Sequence, residues 1–171
     1  MTSKSPTALP DVASLSLRQL YRISPLGMVG TVTSGLLLGA VYALAPLFAR
    51  GNGLDLAGTT LFMTALILGG MALQWPLGRL SDRFDRRLVI LGTLAALVAS
   101  SVLVLLAVPI GVSWLLGTGA LFGGLVFALY PLCVSHTNDW LGAGDRVAAS
   151  GGLVLAYSFA RRRGRSWPRR A

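Results

Sequence analysis

The sequence predicts an all-α integral membrane protein with four full transmembrane helices and a partial fifth. Three observations point there. The 171 residues are 54% hydrophobic and only 12% charged, where a soluble domain carries about 25% charged residues. Mean hydropathy is +0.69, and the apolar residues fall in runs long enough to cross a hydrocarbon core of about 30 Å. The charges lie between those runs: there is no Glu, and none of the six Asp falls inside a long apolar run.

Residues 1–25 form a polar leader with Pro6, Pro10 and Pro25 and no apolar stretch where a signal peptide would have one. Within it, SLSLRQLYRI sets Leu15, Leu17, Leu20 and Ile23 beside Arg18 and Arg22. That pattern suits either a short amphipathic helix on the membrane surface or an ordered linker. Four apolar runs follow, over about 26–49, 57–78, 88–109 and 113–135. Backbone polar groups inside lipid must be satisfied within the segment, so these runs are expected to be helices. Gly51, Asn52 and Gly53 form the first turn. The connection around Pro109–Gly111 is so short that spans three and four should form a tight antiparallel pair. A last run, 147–160, is short for a span and ends in RRRGR.

The net charge of +9 could suggest nucleic acid, but its placement argues against that partner. Six of the fifteen basic residues sit in the last eleven positions, and most others flank apolar runs. With the N-terminus inside, Lys4, Arg18, Arg22, Arg79, Arg83, Arg86, Arg87 and Arg146 fall inside and Arg50 alone outside. This is the positive-inside distribution of a cytoplasmic N-terminus. It is nearly cancelled if 147–160 spans and carries the arginine-rich tail outside.

Between spans two and three, WPLGRLSDRFDRRL packs Arg79, Asp82, Arg83, Asp85, Arg86 and Arg87 into one turn. A carboxylate at Asp82 can accept from free N–H groups at the start of the next helix. The arginines can pair with carboxylates across the turn. Such a cluster is expected to act as a conformational latch.

The run Gly78-Arg79-Leu80-Ser81-Asp82-Arg83-Phe84-Asp85-Arg86-Arg87 resembles the G-x-L-[SA]-D-[RK]-x-G-R-[RK] signature of the major facilitator superfamily, with Asp85 at the second glycine's place. SGLLLGAVYALAPLF (34–48), LQWPLGRLSDRFDRR (73–87), FALYPLCVSH (127–136) and VAASGGLVLAY (147–157) together resemble the C-terminal half of its YcaD-like members. The resemblance implies about helices 7–11 of a twelve-helix secondary transporter in a bacterial inner membrane. Such a transporter moves a small solute by alternating access, with a proton as the default coupling ion. It also implies that spans one and four line the central cavity, with Ser34, Tyr42 and Tyr130 as the candidate lining groups. Packing between helices is the alternative reading for each.

Tyr130-Pro131 is expected to break the helix near the inner end of span four. His136, Asn138 and Asp139 crowd the inner end of span four and read first as a solvated loop, with a proton relay through His136 and Asp139 as the alternative. Gln74 and Trp75 read as packing and interface anchoring. Gly35–Gly39 and Gly119–Gly123 are GxxxG patterns that let helices approach closely, for packing rather than for a dimer. Cys133 reads as a small buried hydrophobe, and no cysteine or histidine cluster suggests a metal. No cofactor is expected, and without a nucleophile–base pair or a phosphate loop the chain does not read as an enzyme.

From about residue 160 the text is expected to be a shifted reading frame, the kind GC-rich codons give out of register. Its tail, 161–171, would then stay cytoplasmic and lie outside the fold. The function expected is that of a transporter-related fragment, needing a missing N-terminal half or a second copy. A non-transporting fragment or accessory subunit is the alternative.

Overall fold

Ser24 and Pro25 start the first span. The Ser24 hydroxyl accepts from the Gly27 N–H at 3.3 Å, and Pro25 takes the first helical position, where its missing N–H costs nothing. The resulting helix α1 runs Pro25–Gly51. Asp55 then caps α2, Leu56–Arg83, its carboxylate accepting from the Gly58 N–H at 2.7 Å. Helix α3 is Arg86–Ala107 and α4 is Val112–Asp139. The computed structural model describes residues 21–139 together with Val154, Tyr157, Ser158 and Arg161. The amphipathic reading of 14–20, most of the partial run 147–160 and the tail past Arg161 lie outside the described residues.

The described residues hold no strand, and all four helices are long and apolar enough to cross a membrane. In three of them only 28% of the most apolar stretch is buried inside the bundle. Side chains such as Leu47, Met71, Leu88 and Val98 stand exposed. An outward-facing leucine surface suits lipid, where helices associate through packing rather than through loss of water. The all-α membrane architecture expected from the sequence is the architecture observed.

Helix α4 is the axis of the bundle: it packs on all three others, most extensively on α2. Glycines permit this closeness. A Cβ on Gly69 would strike the backbone of Ala120, and one on Gly123 would strike that of Leu66. Gly119 lies under the Phe62 ring, where a Cβ would come within 2.6 Å of Cε2. The Gly119–Gly123 pair thus faces α2 within the chain. On α1, a Cβ on Gly39 would stand 2.8 Å from the Arg161 carbonyl oxygen, and Gly35 is buried.

Two expectations about helix ends fail. The charged turn is not a loop around Asp82, because α2 continues through Arg83 and leaves only Phe84 and Asp85 before α3. The charged side chains of that last turn reach outward while the backbone keeps its helical bonds. Nor does Pro131 break α4, which carries on to Asp139. A membrane helix tolerates proline when neighbours hold the segment in line. His136, Asn138 and Asp139 therefore belong to a helix and not to a solvated loop.

Candidate functional site

The three candidate lining residues converge. Ser34 and Tyr42 from α1 and Tyr130 from α4 border one cavity of about 310 Å³. Helix α2 contributes Gln74, which the sequence reading assigned to packing. Leu38, Val126 and Phe127 supply apolar wall. Tyr157 and Arg161 close one side, neither of which the sequence reading singled out for the cavity.

Aromatic contacts organise the pocket. Tyr42 meets Phe127 edge to face at 6.2 Å between ring centroids, and Tyr130 and Tyr157 stand 4.5 Å apart. The Arg161 guanidinium lies 5.1 Å from the centre of the Tyr42 ring, within cation–π range. Its Nε is buried and has no hydrogen-bond partner among the described residues. The sequence reading put residue 161 in a cytoplasmic tail outside the fold. The structure sets it inside the bundle, level with Gly39 in the middle of α1. An arginine is tolerable at that depth because it faces a cavity and an aromatic ring rather than lipid. Ser34 is almost wholly buried, and its hydroxyl donates to the Thr31 carbonyl at 2.8 Å.

Prolines shape the same region. Pro46 in α1 and Pro131 in α4 each lack the N–H that would bond the carbonyl four residues back. Those carbonyls belong to Tyr42 and Phe127, both at the cavity. A second hollow of about 320 Å³, between α1 and α3, differs in kind. Ser101 is its one polar lining residue, and that hydroxyl donates to the Val98 carbonyl at 2.7 Å.

At one end of the bundle the charged motif forms a bridge. Arg86, at the start of α3, holds Asp82 in the last turn of α2 and Asp139 at the end of α4, each at 3.1 Å. One guanidinium thus ties three helices. The helix-capping role expected of Asp82 belongs instead to Asp85, whose carboxylate accepts from the Arg87 N–H at 2.9 Å. The residue that departs from the family signature is thus the cap of α3. Arg79 stacks on Trp75, 3.9 Å from the ring centre, and Arg83 makes no ion pair among the described residues. Gly78 has open space where a Cβ would stand. It borders a hollow of about 140 Å³ shared with Ser81, Asp82 and Ser135.

His136 is buried, but the proposed relay partner Asp139 is paired with Arg86. The role of Asp139 in the bridge is one the sequence reading missed. Its signal was present: a lone carboxylate closing an apolar helix on the side that carries the arginines.

Four apolar helices around a partly polar pocket, cross-tied at one end by ion pairs, define a multi-pass membrane protein. The Major Facilitator Superfamily sequence model matches residues 27–161, and the chain belongs to that family. It is 31% identical over 150 residues to the uncharacterized MFS-type transporter YcaD of Escherichia coli O17:K52:H18, covering 86% of this chain and 37% of that protein. It is 32% identical over 148 residues to the protein of the same name from Salmonella arizonae, covering 85% and 36%. The Salmonella paratyphi B protein is 30% identical over 148 residues, covering 85% and 37%. The chain thus spans little more than a third of the length of these relatives. No solved structure matches.

Proposed function

We propose that this chain supplies one wall of the solute path of a secondary transporter that works by alternating access. The observation that carries the reading is the convergence of Ser34, Tyr42 and Tyr130 on one cavity between α1 and α4. Ligand sites between repeats at mid-membrane are how such transporters work. The Asp82–Arg86–Asp139 bridge acts as the latch, favouring the state in which the ends of α2, α3 and α4 stay together. The opposite wall comes from an N-terminal half or from a second copy of the chain. Coupling to protons fits the family. A bacterial inner membrane with the motif end and the N-terminus in the cytoplasm is supported by charge. Arg79, Arg83, Arg86 and Arg87 mark the motif end, and Arg50 alone marks the other.

The test needs no substrate. In a Cys133→Ser background, cysteines replace Tyr42 or lipid-facing Leu47 in the reconstituted chain, and an impermeant thiol reagent is added from either side. Position 42 should react from both faces and position 47 from neither. Reaction at 42 from one face only would favour a non-transporting accessory subunit, and reaction from neither would sink the solute path.

A further inference from the structure

Among the described residues, the pocket holds a cation without a carboxylate to neutralise it. Arginine stays protonated in proteins, and an ionisable group at membrane depth ordinarily pairs. The four described carboxylates, Asp55, Asp82, Asp85 and Asp139, all sit at helix termini. None borders the cavity. The Arg161 guanidinium lies over the Tyr42 ring and Arg161 lines the cavity, where its N–H groups are donors for a ligand.

We propose that this pocket selects a small monoanionic solute, a carboxylate on an apolar or aromatic body, with Arg161 reading the charge. The inference rests on the solute-path reading above. A guanidinium fork matches one carboxylate in two parallel hydrogen bonds. The Gln74 amide offers further donors in the same cavity. Phe127 and the Tyr130–Tyr157 pair receive the apolar body. A cation would meet Arg161 with nothing to offset it, and a dianion would bury a second charge without a partner. A cavity of about 310 Å³ lies at the small end of ligand pockets, which limits the solute to about the size of a substituted benzene ring.

Three near-isosteric probes separate the possibilities: phenylacetate, phenylacetamide and phenethylamine. Dissociation constants are read by ligand-observed saturation-transfer NMR on the full chain in detergent. Phenylacetate should bind about tenfold tighter than the amide, the worth of one charge-assisted contact, and the amine should bind weakest. Arg161→Gln should bring phenylacetate to within about twofold of the amide, while Arg161→Lys keeps the order. The proposal is overturned if the amide or the amine binds wild type as tightly as phenylacetate. It is equally overturned if Arg161→Gln keeps the tenfold preference. Should the glutamine variant not fold, the wild-type order and the lysine variant decide. If none of the three binds, the solute pocket itself is lost, which is distinct from the amide binding as well as the acid.

Discussion

The two ends of the helix bundle are closed by different chemistry. At the end where α1 meets α2 and α3 meets α4, closure is apolar. Ala49, Phe62, Ala107 and Leu115 are buried together, and Gly53 and Gly111 turn the chain with φ of +85° and +139°. At the other end, helices α2, α3 and α4 are held by Arg86 and two carboxylates that are more than half exposed. Buried Ser81 Oγ and Asn138 Oδ1 there have no partner among the described residues. Packed side chains lose contacts outright when they part. Exposed ion pairs exchange one partner for water at a cost of about 0–1 kcal/mol. Parting the apolar end should therefore cost more than parting the charged one.

The strongest way to break that contrast is to remove what both ends share, the α2–α4 seam. Gly69→Val drives a side chain into the Ala120 backbone, and overpacking of this kind costs about 3 kcal/mol or more. It should leave little monodisperse protein on size exclusion in detergent, and wild-type melting would refute the seam. Phe62→Ala attacks the apolar end alone and should cost about 3 kcal/mol, seen as a large drop in melting temperature.

Arg86→Gln attacks the charged end alone. Melting should fall by no more than about 1 kcal/mol equivalent, yet buried Cys133 should react with N-ethylmaleimide about fivefold faster as that end opens. Unchanged labelling would show that the bridge holds nothing shut. A finer distinction lies in the cap. Asp85→Ala should cost about 1 kcal/mol and Asp85→Gly only a few tenths, whereas a turn that needs aspartate for another reason would penalise both alike. Arg79→Ala, which removes only the contact with Trp75, should cost about 0.5 kcal/mol, at the limit of a melting experiment.

The same contrast decides what the sequence alone could show. Four spanning helices were legible because lipid demands long apolar runs, which stand out from the polar residues between them. The convergence of Ser34, Tyr42 and Tyr130 came from family resemblance, since no periodicity within α1 says which face α4 will meet. Helix ends were misread at the charged side. Whether Arg79–Arg83 and His136–Asp139 stay helical depends on partners from other helices, which a run of hydropathy does not carry. Gln74 looked like packing because its α4 neighbours are remote in sequence. Arg161 looked foreign because its tolerable surroundings, Tyr42 and the cavity, are set only by the fold.

One consequence of Pro131 reaches beyond the pocket. It stands beside Tyr130 at the cavity, and Asp139 lies eight residues further along the helix, a rise of about 12 Å. A proline in mid-helix is where a helix bends most readily. The C-terminal segment of α4 is therefore a lever with its fulcrum beside the cavity. A tilt of about 10° there would carry Asp139 through about 2 Å, and its ion pair with Arg86 spans only 3.1 Å.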